Sequence, residues 1–558
     1  MHKGLFISLS SSVHLLLSCS LMPHFNSHLT VLEQSAARYP TAPAFYVPLV
    51  DNSTQEISEW QPVSYTQFLA DVEHVAKYWT TVLSNDGVLP GSVVGLWLGG
   101  MTYIDCLTIY GIARAGYIPQ HFSLRLPNPT VIYELLDMAV GKAIIHDTSF
   151  AVSVSDSPVA TYLASDVRAA PVNSVTLPPV SREVNGDDTI MIFHTSGSTS
   201  GRPKLVPCSY SWWQEMLRKA AVSTVPYDRR RQDVTVWMGS MCHIGQTFMF
   251  VGAIQHGTCT VQASSQAFPS SELMDMITRC RLNRINQFPT FLSTHLRESR
   301  RNPKLLAMLQ GLDEIFYSGM MIPQEDEEWV HRNGIKVINC FGSTECGAML
   351  LSDREFKGMY APLEPIDGTS YGFFPISSSP VEGSSHNANA ALLELVILSS
   401  SPDCPDRSLR ASDGHYHTGD LFIEVSPGRY VSRGRNDDWI KTENSLRCDT
   451  KAIEDNVRAV CGNLISDCIV VGNRRASPAL FIEPQGDYDE ERLKKEIIRK
   501  TRHFHSRRYL HERITSTKFI VVVPKGTLPR TASKGNIRRR AVEEAFKDQL
   551  DEIYGVRQ

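Results

Sequence analysis

Short apolar runs alternate along this chain with amphipathic stretches. Between Trp60 and Gly347 the runs Val93 to Leu98, Ala143 to His146, Thr189 to Phe193, Thr235 to Met238, Thr258 to Gln262, Ile315 to Tyr317 and Lys336 to Asn339 predict strands separated by helices. That alternation predicts a layered α/β body. A first helix is expected over about Leu29 to Arg38. Ser377 to Ala391 is rich in Ser, Pro, Gly and Asn without periodicity and predicts an exposed insertion. The runs Leu392 to Leu398, Leu421 to Val425 and Tyr430-Val431 predict a β-rich subdomain. From about Asn436 the pattern becomes a helix near Asp449, strands at Cys468 to Val471 and Ala479 to Glu483, a charged helix Glu490 to His503, a strand Lys518 to Val523 and one charged helix Arg539 to Ile553. The expected division is a leader at 1–22, a large α/β domain at 23–435 and a small, mobile α+β domain at 436–558.

A length of 558 residues supports two or three structural units, and 42% apolar content is ordinary for a globular protein. A net charge of -4 leaves no basic footprint for nucleic acid. The runs Arg229 to Arg231 and Arg538 to Arg540 are expected to be solvated faces. The twelve cysteines show neither a C-x-x-C pair nor zinc-type Cys/His spacing, which fits a reducing, cytoplasmic setting. No apolar run is long enough to span a bilayer. The start, with Lys3, Leu5 to Ile7 and Leu15 to Leu17, loosely imitates a secretory signal. Ser8, Ser10 to Ser12 and His14 interrupt it, and Met22 offers a second start, so an upstream extension of the gene is the preferred reading.

The densest chemistry lies in Thr195-Ser196-Gly197-Ser198-Thr199-Ser200-Gly201-Arg202-Pro203-Lys204. Glycines let backbone N–H groups turn toward an anion, the hydroxyls add donors and Lys204 adds a positive charge, as a phosphate cradle requires. No Gly-Lys-Ser/Thr follows, so this is not a Walker A loop. Asn339-Cys340-Phe341-Gly342-Ser343-Thr344-Glu345 places an aromatic, a hydroxyl and a carboxylate at the end of a strand, a set suited to a nucleotide and Mg2+. Tyr416-His417-Thr418-Gly419-Asp420-Leu421 puts a carboxylate after a glycine turn between strands, where it can accept from two vicinal ribose hydroxyls. Taken singly, each of the three is also an ordinary loop.

Their order resembles the adenylate-forming superfamily, which includes acyl-CoA synthetases, aryl-CoA ligases, luciferases and the adenylation domains of nonribosomal peptide synthetases. The likeness runs from about residue 30 to residue 540 and includes Ala113 to Pro119, Glu394 to Ile397, Gly434-Arg435-Asn436-Asp437 and Leu528 to Arg538. It implies that Thr195, Ser196, Gly197, Ser198, Thr199, Gly201 and Lys204 hold the ATP phosphates. Gly319 and Met320 would line the adenine slot with Phe341 and Gly342. Thr344 would contact a phosphoryl oxygen, Glu345 Mg2+, Asp420 the ribose and Arg435 the nucleotide. Asp437 matches the hinge, Lys534 the lysine of the adenylation step, and His243, in Trp237 to Gly245, a histidine beside the substrate carboxylate.

Three departures stand out. Phe341 replaces the usual tyrosine, Lys534-Gly535 stands in reversed order, and Asn444 occupies a position that is glycine in many relatives. Amino-acid-activating relatives carry an aspartate where Ile244 and Gly245 follow His243, and a buried unpaired ammonium is costly. The resemblance therefore implies ATP-dependent activation of a carboxylic acid without an α-amino group, with transfer to the thiol of coenzyme A. A separate carrier protein with a phosphopantetheine arm is the alternative acceptor, and a nucleotide-binding pseudoenzyme the alternative from another class.

Overall fold

The computed structural model describes residues 25–555, except 52, 55, 123–127, 173, 182, 196–203, 357, 359–360, 377–391, 437–438, 442–446, 507, 509 and 531–535. The expected leader at 1–22 and the whole of the expected insertion from Ser377 to Ala391 lie outside those residues, and so do Ser196, Gly197, Ser198, Thr199, Gly201, Asp437, Asn444 and Lys534.

The first layer is a six-stranded sheet in the order Ala160–Leu163, Ala143–His146, Val93–Trp97, Ile118–Phe122, Thr189–Thr195, Lys204–Ser209. All neighbours are parallel except the last two, which form a hairpin with Thr195 opposite Lys204. The inner strands Val93–Trp97 and Ala143–His146 are buried along almost their whole length, as strands of a parallel sheet covered on both faces are. A four-stranded sheet, ordered Ile57–Ser64, Pro43–Val50, Cys259–Val261, Val234–Val236, shares the main core, where Phe45, Trp213, Trp237 and Phe250 are buried with Leu96.

A nine-stranded sheet carries most of the chemistry. It starts with the parallel strands Arg284–Gln287, Glu314–Ser318 and Val337–Ser343 and continues antiparallel through Gly347–Ser352, Leu363–Pro365, Arg429–Arg435, Tyr416–Ser426, Leu393–Ile397 and Tyr371–Pro375. Beyond it, the three-stranded sheet Ile465–Val471, Ala479–Pro484, Ile520–Val522 buries one face against Ile453, Val457 and Ile497 and the other against Val542 and Leu550. The fold is thus the expected layered α/β body with a β-rich part and a small α+β unit.

Several local expectations are corrected. Thr235 to Met238 is a strand only at Val234–Val236, because the Gln246 side-chain oxygen accepts from the N–H groups of Met238 at 2.7 Å and Gly239 at 3.1 Å and takes them out of the ladder. Arg284–Gln287 carries no apolar signal yet is a fully buried strand, since Arg284 pairs with Asp233 and Glu314. The single terminal helix is two, Arg539–Ala545 and Lys547–Tyr554, broken at Phe546, whose ring packs 5.1 Å from that of Phe481. Arg539 is not on a solvated face: its guanidinium bonds Glu454 at 2.6 Å and the carbonyl of Val470. Arg230 and Arg231 are exposed as expected. Among the described residues the cysteines from Cys106 to Cys468 are unpaired and buried, and no helix is long and apolar enough to cross a membrane.

Candidate active site

The strand Val337–Ser343 delivers Phe341 and Gly342 before the chain turns at Thr344–Cys346. Gly342 is required there, because a Cβ would lie 2.5 Å from the carbonyl oxygen of Gly347 on the returning strand. Phe341 lies in the strand, near its end, and meets Phe422 edge-on, with ring centroids 5.1 Å apart at 82°. The turn is closed by Ser343, whose hydroxyl accepts from the N–H of Cys346 at 3.3 Å. Glu345 is half-buried and lies beside the Tyr416 phenol, whose pKa is raised by burial first and by the Glu345 charge second. Two of the expected motifs therefore touch through Glu345 and Tyr416.

Tyr416 to Asp420 is not a turn between strands, as expected, but part of the continuous strand Tyr416–Ser426. The glycine makes a bulge instead: Gly419 has φ +71°, and the register shifts between Asp420 and Phe422. The bulge is pinned from three sides. The Thr418 hydroxyl donates to the carbonyl of Leu395 at 2.8 Å and accepts from the N–H of Asp420 at 3.0 Å, while the N–H of Gly419 donates to Glu394 at 3.2 Å. Across the ladder Asp420 stands opposite Arg435. His417 hydrogen-bonds Asp413 at 2.9 Å, and that bond, with smaller help from Glu394, raises its pKa against the effect of burial.

A second group gathers around Phe288. His243 caps the helix Ile244–Gln255, its Nδ1 accepting from the N–H of Gly245 at 3.1 Å, so in the neutral ring Nε2 carries the proton. The imidazole stands edge-on to Phe288 with centroids 6.2 Å apart. A Cβ on Gly319, which has φ +96°, would lie 3.5 Å from the same ring, and one on Gly239 would lie 2.9 Å from it and 3.2 Å from the Gln266 amide nitrogen. Met320 is exposed just after Gly319. Ser318 pairs with Cys340, which sets Gly319 and Met320 beside Phe341, and the Asn339 amide reaches the Met321 sulfur at 3.1 Å.

Thr195 and Lys204 face each other at the end of the six-stranded sheet, bracketing the phosphate-loop residues outside the described set. The helix Tyr210–Ser223, which follows Lys204–Ser209 directly, links this hairpin to the Glu345 turn: a Cβ on Gly347 would lie 2.8 Å from the sulfur of Met216. Phe288, Gly239 and the Tyr416 contact to Glu345 were not foreseen from the residues. Phe288 sits before Pro289 at a helix start and belongs to no repeated pattern, so only its neighbours in space mark it.

Comparison with known proteins identifies the family and the fold. The AMP-binding enzyme family model matches residues 32–369, and the AMP-binding enzyme C-terminal domain model matches residues 437–558. The chain is 34% identical to the AMP-binding domain-containing enzyme iboA of Amanita muscaria, over 91% of this chain and 99% of that protein. It is 23% identical to the adenylate-forming reductase stbB of Stachybotrys bisbyi over 80% of this chain, spanning 41% of that longer protein. Among solved structures, the o-succinylbenzoate CoA synthetase of Bacillus subtilis in complex with its acyl-adenylate intermediate shares the fold, with a TM-score of 0.71 at 16% identity over 92% of this chain and 97% of the other. The chain belongs to the AMP-binding enzyme family: it is an adenylate-forming, acid-activating enzyme.

Proposed function

We propose that the protein joins ATP and a carboxylic acid lacking an α-amino group into an acyl adenylate, and then passes the acyl group to the thiol of coenzyme A. The observation that carries this reading is the convergence on one sheet of the Glu345 carboxylate, beside Tyr416, with the paired Asp420 and Arg435. In the first step a carboxylate oxygen attacks the α-phosphorus of ATP and pyrophosphate leaves. Positioning and charge neutralisation supply the acceleration.

Ser196, Ser198, Thr199 and Lys204 hold the β and γ phosphates, with Thr195, Gly197 and Gly201 shaping that loop. Thr344 donates to a phosphoryl oxygen, and Lys534 meets the charge that develops at the reacting oxygens. Asp420 binds the ribose, Arg435 the nucleotide, and Phe341 with Gly342, Gly319 and Met320 the adenine. Nε2 of His243 donates to the substrate carboxylate. Among the described residues no group of three or more His, Cys, Asp or Glu is placed to hold a metal ion. Glu345, a hard oxygen donor beside the phosphate-binding elements, fits Mg2+, which takes one or two carboxylates and completes its shell with phosphates and water. Bound there, Mg2+ supplies charge screening on the triphosphate.

In the second step the thiol sulfur bonds to the acyl carbon, AMP departs and the thiol proton passes to solvent. Rotation of 436–558 about Asp437 withdraws Lys534 and admits the thiol. The exclusion of amino acids rests on Ile244, which is 3% exposed and cannot pair an ammonium. The likeness to an adenylate-forming reductase favours a second reading, in which the acceptor is a phosphopantetheine arm of a carrier protein.

The test is acid-dependent pyrophosphate release across amino acids and aliphatic, aromatic and hydroxy acids, followed by thioester formation with coenzyme A or carrier proteins. Efficient turnover of an ordinary amino acid overturns the substrate class. Thioester on the carrier alone selects the second reading. ATP binding without release for any acid replaces both with a pseudoenzyme.

A further inference from the structure

Lys219 is the most deeply buried cation of the described residues, with a side chain fully removed from solvent. It lies on Tyr210–Ser223, the helix that follows the phosphate-loop hairpin. Its Nζ donates to Asp403 Oδ2 at 2.6 Å and to the carbonyl oxygen of Cys346, also at 2.6 Å. Asp403, 1% exposed, is itself saturated. Its Oδ1 accepts from the Ser401 hydroxyl at 2.6 Å, its Oδ2 from the Tyr371 phenol, and its backbone carbonyl from the Trp212 indole at 3.2 Å.

Stabilisation alone does not account for this cluster. Two desolvated charges recover their hydration cost only with good geometry, and apolar side chains of similar volume commonly serve a core as well or better. What the ammonium adds here is a strong, directed hydrogen bond to one backbone atom. That atom belongs to the residue immediately after Glu345. Cys346 is then held at both polar backbone atoms, its N–H by Ser343 and its carbonyl by Lys219. The next residue, Gly347, is locked at φ +67°. The backbone of the turn is thus fixed on the C-terminal side of Glu345, whose carboxylate lies beside the Tyr416 phenol.

We propose that Lys219, charged and clamped by Asp403, is a positioning residue that sets the Glu345 carboxylate for Mg2+ and couples the phosphate-loop hairpin to that turn. The inference rests on the reading of Glu345 as the metal-holding carboxylate. Tyr371, Ser401 and Asp403 come from the β-rich part of the large domain, so the same clamp ties the hairpin, the Glu345 turn and that part into one unit. Groups hydrogen-bonded directly to a metal-ligating side chain typically alter metal affinity about 10- to 100-fold when removed; Lys219 acts one step further out, through the Cys346 carbonyl, which sets the lower end of that range as its ceiling.

The test is calorimetric titration of Mg2+ into the ATP complex of the full-length protein, alongside metal-free AMP binding and thermal melting. Lys219→Met is expected to weaken Mg2+ binding up to about 10-fold, the lower end of the range for direct partners of a metal ligand, with AMP affinity unchanged. A folded Lys219→Met protein with wild-type Mg2+ affinity overturns the inference, and so does equal weakening of AMP and Mg2+, which marks general loosening. Where Lys219→Met fails to fold, Tyr371→Phe keeps the ion pair and removes one donor to Asp403. It is expected to weaken Mg2+ about fivefold, the size of one hydrogen bond, and an unchanged value overturns the inference. Glu345→Gln in parallel separates the two readings. If it leaves Mg2+ binding intact, the metal role of Glu345 fails and the inference with it. If it weakens Mg2+ while the Lys219 and Tyr371 variants do not, only the inference fails.

Discussion

Arg435 Nη1 lies 3.4 Å from Asp420 Oδ1 and 3.1 Å from the carbonyl oxygen of Thr418, two residues before that aspartate. The Arg435 side chain is 37% exposed, so the pair adds little to folding. It does fix the direction of the carboxylate. Asp420→Asn is expected to raise the Kd for AMP about 10- to 100-fold, the range for hydrogen bonds to a charged group, with the melting temperature nearly unchanged. Isothermal titration with AMP checks this. A large loss of melting temperature with normal AMP binding contradicts it.

Gly419 is the point at which that pair is most easily disturbed. Its φ of +71° costs an ordinary residue about 1–2 kcal/mol, and a Cβ there would come 3.1 Å from Arg435 Nη2. Gly419→Ala is therefore expected to lower unfolding free energy by about that amount and to raise KM for ATP. Denaturant melts and ATP saturation curves measured on one preparation decide whether the two effects occur together.

His243 combines a cap with a hydrogen-bond donor, and two substitutions separate them. Asn is also a good N-cap, so His243→Asn keeps the start of the helix but removes the imidazole. His243→Ala loses the cap as well, worth about 1 kcal/mol. Acid-dependent turnover is expected to fall in both variants, with the melting temperature lowered only in His243→Ala.

Phe288 is flanked by Gly239, Gly319 and His243. Phe288→Ala is expected to shift activity toward bulkier acids. Gly239→Ala, whose Cβ would stand 2.9 Å from the ring, is expected to shift it toward smaller ones. Relative kcat/KM over an acid series of graded size measures both, and parallel loss across all acids argues against a pocket wall.

The pH dependence of stability turns on buried histidines. His28 is 2% exposed, edge-on to Tyr110 and Trp213, and burial lowers its pKa from 6.5 to about 3. The unfolded chain binds this proton below pH 6.5 while the folded chain refuses it until about pH 3, so stability falls as pH drops through that window. At pH 5 the loss from this group is about 2 kcal/mol. His28→Phe is expected to reduce the stability difference between pH 7.5 and pH 5 by that amount, read from denaturant melts at the two values. His121, also lowered to about 3 by burial, leaves part of the dependence in place.

Much of the fold was legible because local chemistry and tertiary role coincide. Ala143 to His146 is a strand at the expected residues, since an apolar run of that length between breakers has little else to do in a parallel sheet. Asp449 caps a helix beginning at Thr450 for the reason any aspartate would. Legibility failed where long-range contacts outweighed the local pattern. Arg284 to Gln287 looks like a surface stretch and is buried because Asp233 and Glu314 meet its arginine. Phe546 splits a helix that its neighbours would have continued, because its ring belongs against Phe481.

The sequence alone determined the family and the order of its motifs, because an adenylate-forming enzyme carries particular side chains at turn-forming positions and those are visible as motifs. Tertiary structure alone decided how the motifs meet. Tyr416 reaching Glu345, Arg435 facing Asp420, and Lys219 crossing from another helix to the carbonyl of Cys346 join residues from 15 to 127 positions apart. Such contacts leave no local periodicity, since they are set by sheet register and by the pairing that buried charges demand.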